Sequence, residues 1–301
     1  MKKLLLTAAV IMASLTASAQ LFTVGSIDRL AGDTRVEKSV ISPDGSFVVG
    51  YAPANHAIMK IDASNGSSAK VAEGEGLYNL RLTGDQNTVV FTRPTVNKKH
   101  MRYISLEAAS LADGKVQVLV KPTRRLNHGI ALAGSTVTAV ENGKVRTKTL
   151  VKGEKSQSAP VASISYGHLQ VTNNGKTVTI DPQGRGSYLW PSVSPDGTKV
   201  LYWLVGRGCF VANLDGSDAR SLGNLRSAVF CGNDIVVGAA QRGNDQVIAE
   251  SRLVAKRIAD GTTQVLTDEN TIALDPSASA DGSRNSFTDL EGAVYIINIV
   301  K

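Results

Sequence analysis

The sequence predicts an all-β fold assembled from a repeated hairpin unit, and a recurring tight turn is the main reason. Ser-Pro-Asp-Gly occurs at 42–45 and at 194–197, and Ser-Ala-Asp-Gly occurs at 279–282. Apolar and β-branched residues flank the copies, and no long stretch has sustained helical periodicity. An isolated surface turn would account for one copy only, so three copies with matching flanks indicate a repeat architecture.

The chemistry of the turn explains why it joins two strands. Pro43 fixes φ near −65°, the side chain of Asp44 caps the turn, and Gly45 supplies a positive φ. The residues that follow, Phe47–Val49, are apolar and two of them are β-branched. The unit is therefore a hairpin between two half-buried antiparallel strands.

Weaker copies extend the repeat to six units. They lie at 84–86, 134–135 and 232–234, and the step from Ser42 to Thr83 is 41 residues. Residues 20–301 divided by six give about 47 residues each, close to the ~40–50 residues of a four-stranded propeller blade. The sequence thus predicts a six-bladed β-propeller of four-stranded antiparallel blades.

The third unit, about 126–186, is the longest of the six. Its extra segment at 152–157 is interpreted as a loop insertion. Seven blades would require a split at 173–175, which leaves only about half a blade before Pro195, so six blades are preferred. The sixth unit ends one strand short at 295–300, and we expect the N-terminal strand at 22–27 to pair with it and close the ring.

The N-terminus has the pattern of a secretory signal peptide. Lys2 and Lys3 precede an apolar run at 4–15, and Ala17-Ser18-Ala19 forms a small-residue cleavage site. The run is too short for a membrane anchor, and no cysteine follows for lipid attachment. The sequence predicts a signal peptide at 1–19, one propeller domain at 20–301, and a periplasmic or secreted protein.

At this point the chain resembles the TolB-like, or WD40-like PD40, six-bladed propellers, whose repeats carry the same Ser-Pro-Asp-Gly hairpin. The resemblance covers essentially all of residues 20–301, and the copies at 42–45 and 194–197 carry it best. The N-terminal segment ending Ala19-Gln20 resembles those of exported Bacteroidetes proteins. The resemblance implies the fold but not one function, since such relatives include binding proteins, propeller domains of peptidases, and lyases.

Charge and cysteine content exclude little. The formal charge of +7 falls to +5 without Lys2 and Lys3, and the basic residues are scattered apart from groups at 98–100 and 121–125. Nucleic acid is not expected as a partner, because its binders cluster their cations on one face. We expect a monomer.

Cys209 and Cys231 either pair in an oxidising compartment or lie buried as small apolar residues.

Propeller ligands commonly bind at one mouth of the central channel, on the residues that enter each innermost strand. The repeat places six residues at this position, and they are the predicted ligand-binding set: Lys38, Asn79, His128, Trp190, Arg226 and Asp275. Such a ring offers hydrogen bonds and a stacking surface to a sugar or a peptide. The alternative that these residues are ordinary solvated loop tips stays open.

Catalytic motifs are poor in this chain. His56, His100, His128 and His168 have no metal-ligand spacing, and there is no Gly-x-Ser-x-Gly elbow. We therefore expect no catalytic residues, metal or cofactor. The sequence favours an exported, non-enzymatic module that binds a protein partner or a polar envelope ligand. The alternative is a carbohydrate-active lyase or hydrolase with His128 and Arg226 at the channel mouth.

Overall fold

The computed structural model of the protein describes residues 20–243 and 247–300, apart from the side chain of His128. The predicted signal peptide at 1–19 lies outside the described residues. Within them, 26 strands form seven antiparallel sheets, which are the blades of a β-propeller. No helix in this part of the chain has the length and apolar character needed to span a bilayer.

The strands follow the ring in chain order. Strand β1 (Thr23–Arg29) precedes the first blade and belongs to the last one. Blade 1 contains β2 (Glu37–Ile41), β3 (Phe47–Ala52), β4 (Ala57–Asp62) and β5 (Ser68–Glu73), with a 3₁₀ helix at Pro53–Asn55. Blade 2 contains β6 (Tyr78–Leu82), β7 (Thr88–Val96), β8 (Arg102–Ser110) and β9 (Val116–Thr123). Blade 3 contains β10 (Leu126–Ala133), β11 (Thr136–Glu141) and β12 (Lys144–Thr149).

The second half of the ring has the same order. Blade 4 contains β13 (Val161–Ser165), β14 (His168–Asn173) and β15 (Lys176–Thr179). Blade 5 contains β16 (Tyr188–Val193), β17 (Lys199–Leu204), β18 (Gly208–Asn213) and β19 (Arg220–Gly223). Blade 6 contains β20 (Leu225–Cys231), β21 (Ile235–Gly243), β22 (Ile248–Arg257) and β23 (Thr263–Val265). Blade 7 contains β24 (Leu274–Ala278), β25 (Arg284–Thr288), β26 (Val294–Val300) and β1.

The prediction of six blades is wrong, because the long third unit contains two blades. Five of the seven described blades have four strands, whereas blades 3 and 4 have three each. The segment at 152–157, interpreted as an insertion, connects these two blades. The turn at 173–175, considered as a split point, instead joins β14 to β15 inside blade 4.

The strands of blade 4 run in the opposite direction along the propeller axis, which explains why the repeat alignment did not identify this blade. We call the side that holds the turns at 42–46, 194–198 and 279–283 the turn face. A three-stranded blade ends on the side opposite its start, so blade 3 ends on the turn face and the chain stays there: Leu150 N donates to Ser135 O at 2.9 Å. A Cβ built on Gly197 would lie 3.4 Å from Pro160, so blade 4 is entered from this face. Its first hairpin is a two-residue turn between Ser165 and His168, with no Ser-Pro-Asp-Gly.

The N-terminal strand closes the ring, as the sequence predicted. Strand β1 pairs antiparallel with β26 from Thr23 opposite Val300 to Arg29 opposite Tyr295. It supplies the outermost strand of blade 7, whose innermost strand is β24. The two ends of the described chain are thereby held in one sheet, which removes a free edge from β26.

The repeated turn links neighbouring blades as well as neighbouring strands. In the turn of blade 1, Ser42 Oγ donates to Asp44 Oδ1 at 2.8 Å, and Gly45 N donates to Ser42 O at 2.9 Å. Ala280 N of blade 7 donates to Pro43 O at 2.9 Å. Arg284 Nη1 donates to Gly45 O at 2.9 Å. The carboxylate of the motif is therefore used to build the turn.

The core lies between adjacent blades, where buried side chains of one sheet meet those of the next. Val49 and Phe91 are fully buried in the cluster between blades 1 and 2. Leu201 and Leu225 belong to the cluster between blades 5 and 6. Fully burying one such side chain contributes ~1.5–3 kcal/mol, so each blade is stabilised mainly by its neighbours in the ring.

Both cysteines are free thiols buried in separate clusters. Cys209 lies on β18 between blades 5 and 6, and Cys231 ends β20 between blades 6 and 7. Burial raises the pKa of Cys209 to about 12 and that of Cys231 to about 11. Of the two alternatives that the sequence left open, the structure has the buried apolar one.

Candidate functional site

A bulge interrupts the innermost strand in most blades, and four predicted site residues occupy it. In β2, pairing with β3 skips from Glu37 to Val40, so Lys38 and Ser39 lie opposite a single residue. The first residue of each such bulge has a positive φ, which is 50° for Lys38, 55° for Asn79, 49° for Trp190 and 46° for Asp275. We call the side of the propeller away from the turn face the bulge face.

This backbone conformation turns one side chain out of the sheet. A left-handed φ costs a non-glycine residue roughly 1–2 kcal/mol, and it is retained only where the surroundings hold it. In blades 1, 5 and 7 the next residue packs inward, with Ser39 and Pro276 buried and Pro191 half-buried, while Lys38 and Trp190 are exposed. The bulges therefore present a set of side chains to solvent near the start of the innermost strands.

Two members of the predicted set, Arg226 and His128, do not occupy the first position of a regular bulge. In blade 6 the first bulge residue is Ser227, with φ 49°, so Arg226 was one residue off the structural equivalent of Trp190. In blade 3 the pairing skips from Leu126 to Ile130, a longer irregularity that includes His128. The side chain of His128 lies outside the described part of the structure. The degenerate turns of these two blades gave the repeat alignment its weakest register.

Trp190 and Arg226 are brought together by a third residue, Trp203. The indole of Trp203 is only 8% exposed, and its ring centroid lies 6.0 Å from that of Trp190 at an interplanar angle of 47°. The Arg226 guanidinium carbon lies 4.9 Å from the same ring centroid, which is cation–π geometry. Trp190 remains 47% exposed, and its neighbour Leu189 is 36% exposed. We call these four residues the tryptophan cluster.

The remaining members lie elsewhere around the ring. Asp275 of blade 7 accepts a hydrogen bond from Ser227 Oγ at 2.6 Å, so the bulges of blades 6 and 7 touch. Lys38 and Asn79 hold the same bulge position in blades 1 and 2. The arc from blade 5 to blade 7 thus offers an indole, a guanidinium and a carboxylate in order. Such side chains are chemically able to stack and to form hydrogen bonds, and the ligand-binding role of the set stays a prediction.

Several ionisable side chains are engaged in structural contacts. The Arg226 guanidinium lies over Trp203, and the Asp275 carboxylate accepts from Ser227. His168 Nδ1 lies 2.5 Å from Asp181 Oδ2, while Asp181 Oδ1 accepts from Leu169 N at the start of β14. Within the described ranges, no three His, Cys, Asp or Glu residues come together to hold a metal ion.

Sequence reasoning missed Trp203, Leu189 and Ser227. Trp203 lies in a strand whose residues from Val200 to Leu204 are all buried, so alternation gave no sign of its contact with Trp190. Ser227 would follow from an alignment shifted by one residue in blade 6. The tryptophans carry a different signal: the chain has only two, and both lie in one cluster.

Comparison with known proteins supports the fold. No family model matches the chain, and no curated protein sequence matches it. Among solved structures it is similar to the WD40 β-propeller domain of Doa1, with a TM-score of 0.65 over 92% of this chain and 96% of that one. The sequence identity is 11%. The chain therefore has a β-propeller fold, which it shares with that WD40 domain.

Proposed function

We propose that the protein is an exported propeller of the TolB-like, PD40-repeat type, and that it binds a protein partner through the bulge face. Export is supported by the signal-peptide pattern at 1–19, and the repeat type by the Ser-Pro-Asp-Gly turns at 42–45 and 194–197. A binding role is supported by the fold, since propellers of the WD40 kind commonly serve as binding and scaffold modules. In this proposal the protein acts as a monomer, without catalysis and without a cofactor.

The tryptophan cluster is the observation that carries this proposal. Trp and Arg are the residue types that most often dominate protein interfaces, where a large side chain fills a pocket of the partner. Trp190 is half-exposed although its ring is held by Trp203, so it offers apolar area at little cost in side-chain entropy. Arg226 supplies a fixed cation beside it. Together they form a rigid anchor on a surface with few other exposed aromatic rings.

The experiment uses the two tryptophans as the probe. Immobilised protein is incubated with envelope extract of the producing cell, alongside the Trp190→Ala variant and a control variant, Val265→Ala, on the outer strand of blade 6. We expect a protein that binds the wild type and the control and is lost from Trp190→Ala. With the purified partner, we expect a change in intrinsic fluorescence, since both tryptophans lie in the cluster.

Two results would overturn the proposal. One is a partner that binds Trp190→Ala as well as the wild type, because the anchor would then have no role in binding. The other is hydrolysis or eliminative cleavage of an envelope oligosaccharide by the purified protein, abolished by Arg226→Ala, which would establish the enzymatic alternative instead.

A further inference from the structure

The cations of this protein are concentrated on two adjacent blades. Residues 93–155, which span most of blade 2 and all of blade 3, contain thirteen Lys and Arg against four Asp and Glu, a formal net charge of +9. The rest of 20–301 has eighteen against twenty-two, a formal net charge of −4. Although the basic residues were interpreted as scattered, these thirteen lie in one continuous stretch of the chain, and the ring places that stretch in one sector. Such asymmetry indicates an acidic partner for that sector.

Blade 3 has room for another strand in this sector. Among the described strands, β12 pairs with β11 alone, and five other blades carry a fourth strand at the corresponding place. The residues after β12 leave along the turn face, where Gln157 N donates to Thr136 Oγ1 at 3.1 Å, rather than along β12. The outer edge of β12 therefore presents its backbone groups as a template for pairing.

The side chains of β12 are cationic on one face. Lys144, Arg146 and Lys148 occupy alternate positions, so they share one side of the sheet. Lys148 Nζ donates to Val118 O of β9 at 3.3 Å, which shows that this side is turned toward blade 2. Arg146 is held by Glu141 at 2.9 Å, whereas Lys144 is exposed. Like charges directly opposite each other destabilise strand pairing, so this edge disfavours a second copy of itself.

An apolar cavity adjoins the cationic strand. It has a volume of about 160 Å³ and lies between the outer parts of blades 2 and 3. Its apolar lining comes from Leu106, Leu119, Val120 and Val137, and Arg146, Thr147 and Lys148 of β12 complete it. The cavity can take an apolar side chain from the blade 2 side of a strand laid beside β12, while the side chains two positions before and after it, on the same side, reach the cations.

We propose that β12 accepts an extended acidic segment of a partner protein as the fourth strand of blade 3. Main-chain hydrogen bonds to the edge of β12 supply affinity, and pockets for alternate side chains supply specificity, as in other cases of strand addition. Carboxylates of the segment meet Lys144 and Lys148, and an apolar residue enters the cavity. Blade 4 separates this site from the tryptophan cluster on blades 5 and 6, and the site does not depend on that cluster.

The test separates strand addition from simple attraction between charges. The probe is a short synthetic peptide that contains Glu-Thr-Val-Thr-Glu, which puts glutamate and valine on the same side of the strand. Its control is the same peptide N-methylated throughout, with the same charge but without amide donors. We expect the N-methylated peptide to bind at least ~10-fold more weakly, and we expect the unmodified peptide to slow hydrogen exchange in β12 but not in β15. Equal affinity of the two peptides would overturn the proposal.

Variants locate the site. We expect Lys144→Glu and the double variant Lys144→Glu/Lys148→Glu to weaken peptide binding by ~10-fold or more, while Lys176→Glu on the edge of β15 leaves it unchanged. Trp190→Ala should also leave it unchanged, which keeps this proposal distinct from the one above. Heparin or phosphatidylglycerol vesicles that bind more tightly than the peptide, without protecting β12 amides, would instead identify a general polyanion surface and contradict strand addition.

Discussion

Ser227 and Asp275 join the bulges of blades 6 and 7 through one hydrogen bond, in which Ser227 Oγ donates to Asp275 Oδ1 at 2.6 Å. Both residues have a positive φ, 49° and 46°. Because the acceptor is a carboxylate in a partly buried place, the bond is stronger than one between neutral groups. The bond holds together two residues with a strained backbone conformation, near the points where the innermost strands of blades 6 and 7 begin.

We expect Ser227→Ala and Asp275→Ala each to lower the free energy of unfolding by about 1–2 kcal/mol. The double variant should lose little more than either single one, because the same bond is removed in all three. Urea unfolding followed by circular dichroism measures the three values. Losses that simply add would show that the two residues act independently and that the contact contributes nothing.

The entry into blade 4 gives a prediction on which the blade count depends. A Cβ built on Gly129 of β10 would lie 2.2 Å from Ala162 O of β13, a backbone atom that cannot move aside cheaply. We expect Gly129→Ala to cost at least about 2 kcal/mol, as overpacking in a core does. Gly84→Ala is the matched control, because nothing lies within 4 Å of its Cβ.

Thermal unfolding of both variants measures the difference. Gly84→Ala should be neutral or slightly stabilising, by up to about 1 kcal/mol, since it reduces the freedom of the unfolded chain. If Gly129→Ala were equally harmless, β13 would not lie against β10. The assignment of these two strands to neighbouring blades, on which the count of seven depends, would then be contradicted.

Local chemistry explains which parts of the fold were predictable from the sequence. The turns at 42–45 and 194–197 are specified by residues adjacent in the chain, so they revealed the innermost strands and the bulge position of Lys38, Asn79, Trp190 and Asp275. Blade 4 was missed because the three-stranded blade before it reverses the direction of its strands along the propeller axis, and this reversal leaves no local motif. The contact between Trp190 and Trp203 depends on packing between strands, and a buried strand such as β17 carries no periodic sign of it.

The two tryptophans should differ in their access to solvent. Trp190 is 47% exposed and Trp203 is 8% exposed. We expect acrylamide to quench wild-type fluorescence mainly through Trp190, so Trp190→Phe should lower the Stern–Volmer constant by more than half. Trp203→Phe should leave it nearly unchanged or raise it. Circular dichroism shows whether the Trp203→Phe variant is folded. Similar quenching of the two variants would contradict the exposed position of Trp190.

The turn aspartates predict how stability changes in acid. Burial acts to raise the pKa of Asp44, but hydrogen bonds from Ser46 and Ser42 outweigh it and lower the pKa from 3.8 to about 2. A carboxyl with a lowered pKa in the folded state stabilises the fold above its unfolded pKa, and the contribution is lost as the pH falls from about 4 through about 2. The pKa of Asp196 is lowered too, chiefly by the hydroxyl of Ser194.

We expect the free energy of unfolding to fall over this pH window and Asp44→Asn to reduce that fall. The variant should be less stable than the wild type at neutral pH and should approach it as the pH falls toward 2, where about half of the wild-type carboxyl is protonated. Urea titrations between pH 5 and pH 2 measure both curves. Parallel curves for the two proteins would show that Asp44 does not contribute to the acid response.

The two thiols should be protected in the folded protein and free after unfolding. Burial raises the pKa of both, so little thiolate exists at pH 8, and the thiolate is the reactive form. We expect Ellman's reagent to react slowly with native protein and to detect both thiols in denaturant without a reductant. Cys231 should react before Cys209, because it lines a cavity of about 420 Å³ formed with the N-terminal residues of the described chain. Detection of no thiol in denaturant would instead establish a disulfide, and with it a movement of β18 or β20 that joins two separate clusters.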